Sequence, residues 1–182
     1  MQNYVISTLK DLDLMSMGKG NRYFALANFY LTDEKYKNYF LQLRKQPGVF
    51  ITLDCGSAEG ETVTMQQYLD ITQELQPDEV LALDVLCDTE ATLKSFKTFT
   101  DGMKEREINV NVFACPQGSN KKEYLECYEE FLNNDLVKTI GLSKIAVPKA
   151  FLNETGDRGI KEGRQMCVKH LFKNDLVKKP IS

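Results

Sequence analysis

Short apolar runs recur about every thirty positions along the chain, at Val49–Asp54, Glu79–Asp84, Asn109–Ala114 and Lys138–Ser143. Between them, apolar residues fall at helical spacing. Thr32, a candidate N-cap, precedes Tyr36, Tyr39, Phe40 and Leu43, while Met65, Tyr68, Leu69, Thr72 and Leu75 share one side of 64–75. Thr89–Glu107 and Ile160–Phe172 read as further helices. Ser119-Asn120 caps another, whose Tyr124, Cys127, Tyr128 and Phe131 line one side. This alternation predicts an α/β fold of repeated strand–helix units with parallel strands. Ahead of the repeats, Tyr4–Leu9 and Tyr23–Tyr30 read as strands. The glycines Gly18 and Gly20 between them suit a turn, which predicts an N-terminal β-hairpin.

With 182 residues, 42% of them hydrophobic, the chain can bury one core. A single domain over 1–182 is therefore expected, with a hairpin-like arm over 1–30 and strand–helix repeats over 31–182. A closed eight-stranded strand–helix barrel takes about 250 residues, so about four to five units predict an open half-barrel. Its free sheet edge should be covered by the hairpin, the C-terminal helix or a second protomer, which gives a monomer or a weak homodimer. No long apolar run marks a membrane span, and residues 1–10 lack the pattern of a signal peptide, so the cytoplasm of a bacterial host cell is the expected location. The five cysteines include no Cys-x-x-Cys pair, which fits reduced thiols and no zinc site.

Charge is unevenly placed. Residues 1–137 carry 13 Lys/Arg against 22 Asp/Glu, whereas residues 138–182 carry 10 against 4. A basic final quarter on an acidic body suits a polyanion held at one side, or else a solvated surface of mixed sign. The candidate nucleic-acid contacts there are Lys144, Lys149, Arg158 and Arg164. Lys19 and Arg22 flank the Gly18/Gly20 loop, which reads as a turn with phosphate contact as the lesser alternative.

Parallel α/β folds place their chemistry at the carboxyl ends of the strands. Asp54 and Asp84 occupy matched strand ends, with Glu59 and Asp88 in the loops that follow. These four are the candidate catalytic residues. Two neighbouring carboxylates can divide acid and base roles or hold magnesium, or they can simply cap loops. Gln117 offers donor and acceptor to a base edge, and Gly118 allows close backbone approach. The lone histidine, His170, reads as structural.

Four of these segments resemble motifs of the tRNA-guanine transglycosylase superfamily, including its phage-encoded, deazaguanine-inserting members. Leu53-Asp54-Cys55-Gly56 is similar to the family's Asp-Ser-Gly-Gly motif, and Val80–Asp84 to the strand whose Asp reads the guanine edge. Phe113–Ser119, with Gln117-Gly118, resembles its Gln-Gly segment, and Ile140–Val147 its glycine-rich strand end. The resemblance runs from about Phe24 to the C-terminus. It implies acid/base work for Asp54 and base contacts for Asp84 and Gln117. The family's nucleophilic Asp belongs to a later strand, and its Cys-x-Cys-x-x-Cys zinc site has no counterpart here. The resemblance thus implies a base pocket without the whole exchange reaction in one chain.

The length and N-terminal arm also resemble streptococcal anti-CRISPR proteins of type II systems, which cause shortening of the guide RNA. On that resemblance the partner is a type II CRISPR effector nuclease with its guide RNA, engaged by residues 4–30, and Asp54 and Asp84 would carry the cleavage. A net acidic chain binds bare RNA poorly, so action on effector-bound RNA is expected. The alternatives are a transglycosylase-like, nucleobase-modifying protein completed by a partner chain, and an inhibitor that only binds.

Overall fold

Strand–helix alternation governs the backbone of this computed structural model, which describes residues 5–6, 12, 20–55, 63–154 and 156–182. The strands are β1 (Val5–Ile6), β2 (Arg22–Leu26), β3 (Phe50–Asp54), β4 (Glu79–Leu81), β5 (Asn111–Ala114) and β6 (Val137–Ile140). The helices are α1 (Ala27–Thr32), α2 (Glu34–Leu43), α3 (Met65–Leu75), α4 (Thr89–Glu105), α5 (Lys121–Leu132), α6 (Ala146–Leu152) and α7 (Asp157–Lys173). The class is the expected one, α/β with parallel strands in an open arrangement. Among the described residues, no helix is long and apolar enough to cross a membrane. The chain divides into two compact units, residues 1–81 with 102–110, and residues 82–101 with 111–182. Helix α4 is therefore shared between them at Gly102.

In the first unit β2 pairs with β3 over five residues, from Arg22↔Phe50 to Leu26↔Asp54, and β3 pairs with β4 at Thr52↔Glu79 and Leu53↔Val80. Ala25, Ile51, Leu53 and Val80 are fully buried, as the inward positions of a covered parallel sheet must be. Thr64 starts α3 with a reciprocal capping box: its hydroxyl accepts from Gln67 N, and the Gln67 side chain accepts from Thr64 N. The Tyr68 hydroxyl then reaches the carbonyls of Leu53 and Leu81 at 3.0 and 2.8 Å, tying the helix to the ends of β3 and β4.

Two expectations for the amino-terminal region are corrected. β1 pairs with β2 in parallel, Val5↔Tyr23 and Ile6↔Phe24, whereas a hairpin would make them antiparallel. The glycine turn expected at Gly18 lies outside the described residues. The strand expected over Tyr23–Tyr30 stops at Leu26 and becomes α1. A short apolar run does not distinguish a buried strand from a buried helix. Here the Tyr36 hydroxyl accepts from Leu26 N at 2.9 Å where the strand ends. Asp33, rather than Thr32, caps α2 by accepting from Tyr36 N at 2.7 Å.

In the second unit β5 and β6 pair in parallel. Tyr124, Tyr128, Phe131, Val137, Ile140 and Leu171 form its core. The strand expected over Lys138–Ser143 ends at Ile140, and in the turn that follows the Ser143 hydroxyl accepts from Ala146 N at 3.1 Å, just ahead of α6. The free edge of β6 is covered by the chain itself. Ile140 N donates to Pro180 O at 3.0 Å, Ser182 N to Ile140 O at 3.1 Å, and Leu142 N to Ser182 O at 2.8 Å. Residues 180–182 thus take up the edge hydrogen bonds that a second protomer would otherwise have to meet.

Candidate functional site

In the second unit the segment that follows β4 and the loop after β5 meet at one buried side chain. Ala82 N donates to Phe113 O at 2.8 Å, which aligns residues 82–84 with β5 and brings their following loops to the same end. Gln117 lies in the loop after β5, with none of its surface exposed. Every polar group it owns is engaged. Its backbone N donates to the Cys127 thiol at 3.5 Å, and its carbonyl accepts from the Thr89 hydroxyl at 2.7 Å. The side-chain oxygen accepts from Cys87 N at 3.0 Å, and the amide nitrogen donates to Asp84 Oδ2. Only this orientation of the carboxamide serves both neighbours, because Cys87 N–H needs an acceptor and the carboxylate needs a donor.

Local backbone chemistry sets up this bracket. Val85 N donates to the Thr92 hydroxyl at 2.9 Å, and Asp88 N closes a turn onto Val85 O at 3.1 Å. Cys87 sits in the left-handed region at φ 58°, a costly conformation for a residue with a Cβ, and its N–H is spent on Gln117. Gly118 is required for packing. A Cβ there would stand 2.7 Å from Tyr124 Cα, so the loop lies against the start of α5. That close approach is to the protein's own helix rather than to a ligand. Beneath the loop, burial pushes the Cys127 thiol up to about 11. It therefore stays protonated and acts as a small apolar filler.

Asp84 is half-buried and Asp88 exposed. Asp88 accepts from Ala91 N at 2.9 Å and so serves as the cap of α4. Beside it opens a cleft of about 590 Å3 whose rim carries Asp88, Glu90, Glu123 and Glu126. Hydrogen bonds from the Ser119 hydroxyl and backbone hold Glu123 below its usual carboxylate range. Such a wall disfavours phosphate and favours donor-rich groups. Leu93 adds an apolar patch to the cleft's lining, and Val85 and Leu86, just ahead of Cys87 in the chain, are 42% and 58% exposed.

The other expected site residues lie elsewhere. Asp54, half-buried at the end of β3, belongs to the first unit, so Asp84 and Gln117 are brought together without it. Glu59 and Lys19 lie outside the described residues. Arg22 stacks its guanidinium 4.1 Å from the Phe50 ring centroid. Lys144 is exposed in the turn after β6, and Lys149 is half-buried on α6. Arg158 pairs with Glu162 at 3.1 Å, and Arg164 donates to Leu142 O at 2.6 Å, which commits it to holding the loop after β6. Among the described residues no group of three or more His, Cys, Asp or Glu is placed to hold a metal ion.

Two participants carried no sequence signal of their own. Cys87 and Thr89 reach Gln117 from about thirty residues away, through backbone geometry that no local pattern announces. In the first unit Asn28 lies two residues past Leu26, which pairs with Asp54. It is 3% exposed, and neither atom of its carboxamide has a partner, a state that costs about 1–3 kcal/mol. Among comparisons with known proteins, no protein-family model matches the chain and no curated protein matches it.

Proposed function

We propose that the chain binds nucleic acid and reads a guanine-type base with the Asp84 carboxylate, Gln117 acting as the positioning residue. The observation that carries this reading is the bracket itself: a half-buried carboxylate in the loop that follows β4, held by a wholly buried amide whose oxygen is engaged by Cys87 N and whose nitrogen donates to that carboxylate. A carboxylate only accepts, through two coplanar oxygens. Among neutral nucleobases, guanine presents a ring N–H beside an exocyclic N–H on one edge, the matching donor pair. That edge is occupied in a duplex, so the target is a single strand or an extruded nucleotide. The transglycosylase resemblance points to the same base. The sequence-based role for Gln117 is thereby revised, because its amide serves Asp84 instead of the ligand. The guide-RNA reading leans on the N-terminal arm, much of which lies outside the described residues, so base reading is the function put forward.

Isothermal titration with guanine, 7-deazaguanine and hypoxanthine tests it. Guanine and its 7-deaza analogue should bind alike, since the edge read by Asp84 is unchanged. Hypoxanthine, which lacks the exocyclic amine, should bind at least about tenfold more weakly, as should guanine to Asp84→Asn. Equal affinity for guanine and hypoxanthine, or an Asp84→Asn protein that binds guanine as well as the parent does, would exclude the proposed role.

A further inference from the structure

Within the second unit, charge is sorted along the chain. Residues 82–101 and 111–137 carry 4 Lys/Arg against 9 Asp/Glu, while residues 138–182 carry 10 against 4. Helix α7 accounts for much of the basic share. Its buried side is Gly159, Gly163, Cys167 and Leu171, and Gly163 lets it pack on α6, since a Cβ there would meet Pro148 Cα at 2.8 Å. The opposite side is exposed. At 100° per residue, Lys161, Gln165, Lys169, Phe172 and Lys173 fall within one stripe. None of the three lysines forms an ion pair among the described residues; the acid on this side, Glu162, is taken by Arg158 at 3.1 Å. Asp157 and Glu154 lie near the helix's amino end, and Asp175 follows its last turn.

Inside this cationic stripe sits Phe172, 66% exposed, with Met166, 44% exposed, at its margin. An aromatic ring left in water between lysines is a poor device for solubility and a good one for stacking a base. His170 is held below its usual range, by burial first and then by the charges of Lys121 and Lys173. Lys121 itself lies 5.3 Å from the Phe151 ring centroid, and that ring stands 6.0 Å from His170. By helix rise the three lysines are spaced about 12 Å and about 6 Å apart along the axis, the scale on which phosphates recur along a single strand.

We propose that the outer face of α7, through Lys161, Lys169 and Lys173 with Phe172 among them, is a docking surface for single-stranded nucleic acid. The lysines take phosphates and Phe172 stacks a base. A polyanion matches the charge, and the interleaved ring favours unpaired bases over duplex, whose bases are already stacked. This surface goes beyond the reading of guanine by Asp84 and stands on its own observations. It does not select sequence, because phosphate contacts and stacking are nearly indifferent to base identity.

Fluorescence polarisation tests it with two labelled probes, a thymidine oligomer and the same oligomer bearing one central guanine, each titrated over a range of salt. Lys161→Gln/Lys169→Gln/Lys173→Gln should weaken both probes equally, by about tenfold or more, and should lower the salt slope by about 2. Phe172→Ala should weaken both while leaving the salt slope unchanged. Asp84→Asn should remove only the preference for the guanine probe, so failure of base reading and failure of this surface give different patterns. Because these side chains are exposed, circular dichroism should show folded variants. The proposal falls if the triple variant binds the thymidine oligomer as the parent does, if the parent does not bind it at low salt, or if the parent binds phosphatidylserine vesicles in preference to either oligomer.

Discussion

Replacing Gln117 by glutamate keeps the shape of the side chain and changes only its chemistry, so it interrogates the Asp84 bracket directly. With its carboxyl neutral, the introduced side chain would still accept from Cys87 N, 3.0 Å from the present amide oxygen, and would donate its O–H to Asp84. Near pH 4 the variant should therefore be close to the parent in stability. At higher pH two carboxylates would share a hydrogen-bond distance, one of them with no exposed surface, so the folded pair must retain one proton. Burial together with a like charge raises such a pKa by on the order of 3 units, and each unit corresponds to about 1.36 kcal/mol. The folded pKa is raised, so the folded variant binds more protons than the unfolded chain between about pH 4.3 and about pH 7. Its stability relative to the parent should fall across that window by up to about 4 kcal/mol and level off above it. Urea denaturation of parent and variant, followed by circular dichroism at intervals from pH 4 to pH 8, measures this difference. Adding Asp84→Asn removes the like charge and restores a donor–acceptor pair, so it should shrink the pH dependence to the part that burial alone causes. A flat difference between parent and Gln117→Glu, or a slope that Asp84→Asn leaves undiminished, would refute the bracket.

Gly118→Ala should cost about 1–3 kcal/mol in the same denaturation assay, because its Cβ would press 2.7 Å from Tyr124 Cα, a backbone atom that cannot rotate away. Unchanged stability would mean that the loop does not lie on α5 as described. A thiol-specific disulfide reagent should modify Cys87 and Cys115, which are partly exposed, well before Cys55, Cys127 and Cys167, which are buried. Burial pushes Cys127 up to about 11 and Cys167 up to about 12, leaving little thiolate to react. Simultaneous reaction of all five in the native protein would contradict this packing.

Helical periodicity made α3 and α5 legible almost to the residue, because Thr64 and Asn120 are side-chain caps and the buried faces repeat without interruption. Strand ends were less legible. The run Glu79–Asp84 is assigned to β4 only as far as Leu81, and Lys138–Ser143 to β6 only as far as Ile140. Apolar residues beyond those points are buried by loop and helix packing that an alternation pattern does not separate from pairing. Asp84 and Gln117 stood out in the sequence as candidates, but the hydrogen bond between them was not legible. Four hydrogen bonds from four separate residues consume Gln117, and their chain separations run to more than thirty positions. Arg164 teaches a similar lesson. Its charge counted towards a basic quarter in the sequence, yet its guanidinium is engaged with Leu142 O. Lys161, Lys169 and Lys173 emerge as the stripe only once the register of α7 is fixed by Gly163, Cys167 and Leu171 on its inner side.

The central claim is that Asp84 reads the donor edge of a guanine-type base. A crystal of the protein soaked with 7-deazaguanine tests it most directly. The account predicts the ring N–H and exocyclic amine at hydrogen-bond distance from the two Asp84 oxygens, with Gln117 still bonded to Cys87 N. A saturated crystal showing the base elsewhere, or showing Gln117 turned away from Asp84 to hold the base itself, would contradict it.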